Sequence, residues 1–193
     1  MGVILPPAAP GPVLFRVPMP VDGYTLRNAE PRDDVAVGEL LVQSFVEQYA
    51  RKMPEVVVSE ERKRELRDTA GKRAVARVWV VEYRGEVVGT VAVWPPGAPG
   101  SEAWISGAVD LRHLAVHARH RGAGVSAMLL DAAEAWAREL GAPAVCLHVR
   151  RGAAGVRGLY VRRGYQRRPE GDLDFLPEVF LEAFALPLES GPR

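Results

Sequence analysis

The sequence predicts a single α/β domain, and three stretches carry that prediction. Two apolar, β-branched runs, "AVARVWVVEY" and "EVVGTVAVW", flank Arg84-Gly85, the pattern of a hairpin. "AVDLRHLAV" leads through a glycine-spaced turn and an amphipathic helix into "AVCLHV", a βαβ unit whose two strands should be parallel neighbours. "EVFLEAFALPL" closes the chain as a last strand. At 193 residues, 48% hydrophobic and 25% charged, the chain can build one core but is short for two.

The elements follow in the order β-α-α-β-β-β-α-β-α-β. Residues 1–20, rich in proline and alanine, read as an extended surface arm, and residues 21–193 as the domain. The arm lacks a basic start and its prolines would break a helix, so no signal peptide is expected. Tyr24–Asn28 fits a first short strand, and Asp33 or Asp34 caps the helix after it. There Val37, Leu41, Phe45 and Tyr49 recur every fourth residue with Leu40 beside them, and Pro54 lies past the end. A second helix should run from Ser59 to Gly71 and lie on the surface, since its face is nearly all charged.

"PPGAPGSEAW" is a loop by composition. In the strand after it, Val109 and Leu111 share one parity while Leu114 and Val116 share the other. A β-bulge between Leu111 and Leu114 would restore the phase, although burial on both faces explains the pattern equally well. The following helix carries an apolar stripe of Val125, Leu129, Ala132, Trp136 and Leu140, ended by Gly141 and Pro143. "GVRGLYVRR" reads as a shorter helix, with a further strand at Tyr165 to Arg168.

Composition excludes several classes. A net charge of +1 supplies no general drive toward nucleic acid or an anionic membrane. No apolar run approaches the roughly 20 residues that span a bilayer. Cys146 is the only cysteine, so no intrachain disulfide forms and a reducing cytoplasm is the simplest setting. It sits in an apolar strand and should behave as a small hydrophobe. His117 and His120 are three apart, but no carboxylate or cysteine completes a metal set with them.

"HARHRGAGVSAMLLDAAEAWAREL" runs from a basic, glycine-spaced turn straight into a helix. The start of a helix leaves backbone N–H groups unpaired and carries a partial positive charge, which suits an anion. Gly122 and Gly124 would let the backbone approach a phosphate, or they serve only the turn. A Walker A loop is weakened because no Gly-Lys-Ser/Thr follows, and a dinucleotide fingerprint because Ala127 replaces its third glycine.

"LAVHARHRGAGVSAMLL" resembles the acyl-CoA-binding segment of the GNAT superfamily of N-acetyltransferases, a strand ending in Leu-x-Val before Arg/Gln-x-x-Gly-x-Gly/Ala. Arg121, Gly124 and Ser126 occupy the three defined loop positions, with serine where Gly or Ala is usual. "GLYVRRGY" is similar to the second family motif through Leu159, Tyr160, Gly164 and Tyr165, while Ala153 stands where an asparagine is often found. The resemblance implies a mostly antiparallel sheet, splayed at its parallel centre to admit CoA, with helices on both faces.

The resemblance also implies acetyl-CoA as co-substrate, held by Leu114, Val116, Arg121, Gly122, Ala123, Gly124, Val125, Ser126 and Tyr160. A primary amine of a small molecule or peptide would attack the thioester directly, between strands ending at Val116 and Val149. The N–H near Val116 would face the thioester oxygen and Tyr160 would protonate the leaving thiolate, though a core aromatic is the plain alternative for Tyr160. Asp110 would be the general base or a structural carboxylate, and Glu102 and His113 are weaker candidates. Glu47, Trp94 and Trp104 would border the acceptor pocket or simply pack. Family habit suggests a homodimer. A different class, a non-catalytic acyl-CoA-binding sensor on the same fold, stands as the alternative.

Overall fold

A computed structural model describes residues 23–52 and 57–189. The N-terminal arm of residues 1–20 and Pro54 lie outside them. Eight strands form one sheet: β1 (Tyr24–Asn28), β2 (Arg77–Tyr83), β3 (Glu86–Trp94), β4 (Val109–Val116), β5 (Ala144–Arg150), β6 (Gln166–Arg167), β7 (Leu173–Phe175) and β8 (Val179–Pro187). Their order is β1-β2-β3-β4-β5-β8-β6, with β7 also on β8. Every pairing is antiparallel except β4 with β5. Five helices accompany them: α1 (Asp34–Lys52), α2 (Glu60–Arg67), α3 (Thr69–Val75), α4 (Val125–Glu139) and α5 (Ala154–Arg162). Among the described residues no helix is long and apolar enough to cross a membrane.

Strand alternation sends side chains to two cores. On one face Trp79, Val81, Val91, Val93, Val109, Leu111 and Leu147 pack against α4 and Tyr160 of α5. On the other, Val80 and Ala115 meet Val37, Leu40 and Leu41 of α1, and Ala108, Ala144 and Cys146 lie under the loop bearing Trp104. Helices therefore cover both faces. The hairpin at Arg84-Gly85 is present, with φ of 51° and 86°, the double left-handed conformation of a type I′ turn.

The expected bulge is also present. Thr90 pairs with Ala115 but Ala92 pairs with Arg112, so His113 and Leu114 together oppose Val91. His113 takes φ of 58° to make the shift. Leu111 therefore faces α4 in register with Leu114 and Val116 beyond it, which decides for the bulge over the alternative of a strand buried on both faces.

Three expectations are corrected. The second helix does not run unbroken to Gly71: Asp68 ends α2, its N–H donating to the Arg64 and Glu65 carbonyls, and its Oδ1 accepts from Gly71 N–H at 2.9 Å to start α3. Nor is it wholly a surface element, since Leu66 is fully buried beside α1 and the Lys72 ammonium donates to the carbonyls of Glu65, Leu66 and Asp68. On α4 the buried face is wider than the stripe read from sequence. Met128, Leu130, Ala133 and Ala137 are buried while Leu140 is 44% exposed, because α4 meets α5 as well as the sheet. The short strand β7 had no sequence signal at only three residues.

Candidate active site

The parallel pairing of β4 and β5 lasts only from Val109↔Val145 to Leu111↔Leu147. Past Leu111 the bulge turns β4 toward β3, while β5 stays paired with β8 to Arg150. The two strands diverge, and a cavity of about 300 Å³ opens in the wedge. It is bounded by Leu114, Ala115 and Val116 of β4, by Arg121, Gly122, Val125 and Ser126 of the loop and α4, and by Gly155, Val156, Leu159 and Tyr160 of α5. Ser44 of α1 and His120 complete it.

Seven of the nine residues that the resemblance assigns to the cofactor thus meet around one cavity: Leu114, Val116, Arg121, Gly122, Val125, Ser126 and Tyr160. Ala123 and Gly124 lie on the loop between them. Sequence reasoning missed Ser44, whose signal was a serine set three residues beyond Leu41 in an apolar helical face and buried there. It also missed the first turn of α5.

The loop has the geometry of an anion site. Gly124, at φ of 82°, is the N-cap of α4 and has no side chain to satisfy the helix start. The first intrahelical bond is Met128 N–H to the Gly124 carbonyl at 3.1 Å, which leaves the N–H groups of Val125, Ser126 and Ala127 without helical partners. They point out of α4 with the positive end of its dipole. The Arg121 side chain turns back instead: Nε donates to the Val116 carbonyl at 3.3 Å and Nη2 lies 3.8 Å from Glu47. Arg119 is exposed. His117 and His120 are occupied by the turn, the first accepting from Arg119 N–H and the second bonded to the Tyr24 hydroxyl at 2.9 Å.

Val116 faces the wedge through its backbone. His117 N–H donates across to Val88 on β3 at 2.9 Å, so the preceding N–H, one step along the strand, points toward the opposite, unpaired edge.

Tyr160 is 5% exposed and lines the cavity, its ring edge-on to Tyr165 at 5.3 Å. Burial pushes its hydroxyl above the ordinary phenol range, so it stays protonated. Behind it, Arg163 binds Glu134 with Nε at 3.0 Å and Nη2 at 2.9 Å, and Asp131 at 2.6 Å, fastening the end of α5 to α4.

Asp110 lies elsewhere. It is fully buried on β4 outside the cavity wall, and its Oδ2 accepts from Arg112 Nε and Glu102 N–H, each at 2.7 Å. Its Oδ1 has no partner. Trp94 packs under the Arg112 guanidinium and beside His113, whose imidazole burial holds well below its usual range. Trp104 packs on His148 at 5.2 Å, and Glu47 stands at the surface beside Arg121. Among the described residues no three His, Cys, Asp or Glu side chains gather as a metal set.

Comparison with known proteins agrees with this architecture. The chain is 33% identical over 115 residues to N-acetyltransferase 8 of Rattus norvegicus, a match covering 58% of this chain and 50% of that protein. It spans about half the length of the curated relatives it matches. An acetyltransferase of the GNAT family from Staphylococcus aureus Mu50 shares the fold at a TM-score of 0.66 and 13% identity, over 86% of this chain and 99% of that one. PaiA N-acetyltransferase from Thermoplasma acidophilum, solved in complex with coenzyme A, aligns at a TM-score of 0.62 and 15% identity over 83% and 97%. The profile of the Acetyltransferase (GNAT) family matches residues 36–165, from α1 through the cavity to Tyr165, and the chain belongs to that family.

Proposed function

We propose that the protein is an N-acetyltransferase that moves an acetyl group from acetyl-CoA to a primary amine of a small molecule or peptide by direct attack. One observation carries this: a single wedge brings together an uncapped helix start, an open strand edge and a buried, protonated tyrosine. The N–H groups of Gly122, Gly124, Val125, Ser126 and Ala127 would hold the pyrophosphate, with Ala123 and Arg121 shaping the loop around them. The open edge of Leu114 to Val116 would pair with the pantetheine amides. Ser126 adds a hydroxyl beside the phosphates.

Acetyl-CoA supplies the thioester. The Val116 N–H, aimed at the open edge, would stabilise negative charge developing on the carbonyl oxygen, a contribution of about 3 kcal/mol in other acyl transfers. Tyr160, kept neutral by burial, would donate its proton to the departing thiolate. Asp110 we assign to positioning, since its Oδ2 holds Arg112 and the Glu102 backbone. The relatives named as N-acetyltransferases support the amine as acceptor. A reducing cytoplasm is supported by Cys146, a free buried thiol that burial pushes up to about 11.

Incubating the protein with acetyl-CoA and a panel of amines, with thiol release followed, tests this directly. Turnover of an amine is the expected result. Thermal stabilisation by acetyl-CoA without turnover of any amine would assign a binding module, and no stabilisation would overturn both. In the same binding assay Gly124→Val, which forces a β-branched residue to positive φ, should weaken acetyl-CoA at least about tenfold. Arg119→Ala should change it less than about threefold, because an exposed charge contributes little.

A further inference from the structure

Among the described residues, the buried polar atoms without a hydrogen-bond partner on the side of β4 and β5 away from α4 include His113 Nδ1 and, grouped together, Asp110 Oδ1, His148 Nδ1 and Trp104 Nε1. Asp110 pairs with Cys146, and His148, two residues on, shares its face. His148 directly follows Leu147, the last β5 position paired with β4, so it stands where the strands part.

The tautomer of His148 is fixed by its neighbour. Nε2 lies 2.8 Å from the Gly171 carbonyl oxygen, which only accepts, so Nε2 carries the hydrogen. Nδ1 is then the ring nitrogen left to take a proton. It faces Glu102 Oε2 at 3.8 Å, with the imidazole 5% exposed and Glu102 39% exposed. That distance is too long for a hydrogen bond, and Nδ1 has no other partner. The other Glu102 oxygen lies 3.3 Å from Arg112 Nη1, and the same guanidinium binds Asp110 through Nε and Nη2, so the carboxylate is held in place. The Trp104 ring closes the remaining side, pressed directly against Gly171, where a Cβ would run into the indole. On β5 itself Arg150 is turned away to the Glu178 carbonyl and the Tyr49 ring, and the cross-strand neighbour Ala183 is uncharged.

We infer that His148 is the proton acceptor for the amine substrate, and that the acceptor's ammonium docks against the pair formed by His148 Nδ1 and Glu102; this rests on the acetyltransferase reading above. The exposed Glu102 draws the ammonium in, and one N–H proton passes to the Nδ1 lone pair. The freed nitrogen lone pair forms the C–N bond to the thioester carbonyl carbon as the C–S bond breaks. The thiolate takes the Tyr160 proton, and the attacking nitrogen returns its second proton to the Tyr160 oxygen. The imidazolium, beside Glu102, releases the remaining proton to solvent, so each turnover yields one amide, one thiol and one proton. Gly171 is a positioning residue, orienting the ring through its carbonyl.

His148→Gln keeps an N–H for Gly171 and removes the proton-accepting nitrogen. It should lower kcat/KM for the amine at least about 100-fold at pH 7, the scale of general base catalysis, and abolish the rise of rate with pH on the acid side. The KM for acetyl-CoA and the thermal shift it produces should stay within about twofold of the parent, since neither residue touches that cavity. Glu102→Gln, at a half-exposed position, should raise the amine KM about tenfold, the worth of one charge-assisted contact. The probes are 2-phenylethylamine, putrescine and a tetrapeptide with a free N-terminus. An unchanged acid limb in His148→Gln overturns the assignment and leaves the acetyltransferase reading standing. If His148→Gln fails to fold, an unchanged amine KM in Glu102→Gln overturns it instead. If the parent binds acetyl-CoA but acetylates none of the probes, both fall together.

Discussion

Tyr160 shows what burial does to a single functional group. Enclosed between α4 and α5, its hydroxyl cannot release a proton cheaply, because a phenolate there loses hydration with only the Arg163 charge to offset it. The shift is upward, so the protonated form persists above the ordinary pKa of about 10. Tyr160→Phe removes only the oxygen and should cut kcat about 10² to 10³-fold while leaving the KM for acetyl-CoA within a few-fold. In the parent, the pH–rate profile should show no loss between pH 8 and 10 from deprotonation of this acid. A fall there that disappears in Tyr160→Phe would show the hydroxyl titrating normally and refute its buried, neutral state. Tyr160 was legible because its motif is contiguous in sequence. His148 was not: its partner Gly171 lies 23 residues away, and a histidine inside an apolar strand looks like any packed core residue. Asp110 was legible as a residue of interest, but its buried bonds to Arg112 and Glu102 were not.

At the scale of elements, the approach of α4 to the sheet decides where the glycine-spaced loop stands. Gly89 of β3 permits that approach, for a Cβ added there would lie 2.5 Å from Val125 Cγ1 and 3.1 Å from Leu129 Cδ1. Both residues are buried at the start of α4, so the helix and not a flexible side chain would have to move. Gly89→Ala should cost about 1 to 3 kcal/mol, as overpacking does, lowering Tm in a thermal melt. It should also weaken acetyl-CoA binding several-fold, because Val125 and Ser126 shift with the helix. A variant with unaltered Tm and affinity would mean that α4 is not seated by this contact. Periodicity revealed most elements because side-chain alternation is a one-dimensional signal, while the parity change along β4 fitted a bulge and burial on both faces equally, and only the strand pairing decides for the bulge. The break between α2 and α3 escaped it, since Asp68 closes one helix and opens the next within a continuous charged run. The wider buried face of α4 escaped for a related reason: its contact with α5 is tertiary, and α5 begins 15 residues after α4 ends.

For the whole molecule, the wedge is also a seam. The strands β1 to β4 and the strands β5 to β8 each hold together by antiparallel ladders, yet the two groups share only the three register positions from Val109 to Leu111. Elsewhere they are joined through side chains, among them the Arg163 ties of α5 to Glu134 and Asp131 and the packing of Trp104 on His148 and Gly171. A ligand that pairs with the open edge of β4 while its phosphates sit on α4 and its flank rests on α5 therefore braces the seam. At 100 times Kd such a ligand stabilises the fold by about 2.7 kcal/mol, which for a chain of this size is roughly 5–11 °C in Tm. Hydrogen exchange locates the gain. Amides at Leu114, Val116, Gly122, Gly124 to Ser126 and Gly155 should slow most on adding acetyl-CoA, because those N–H groups lack partners or face the cavity in the free protein. Amides of β1, already paired with β2 from Tyr24 to Asn28 at the far edge, should slow only by the global increment. Equal slowing in both regions would mean that acetyl-CoA stabilises the chain without occupying the wedge, and would remove the cavity from the mechanism.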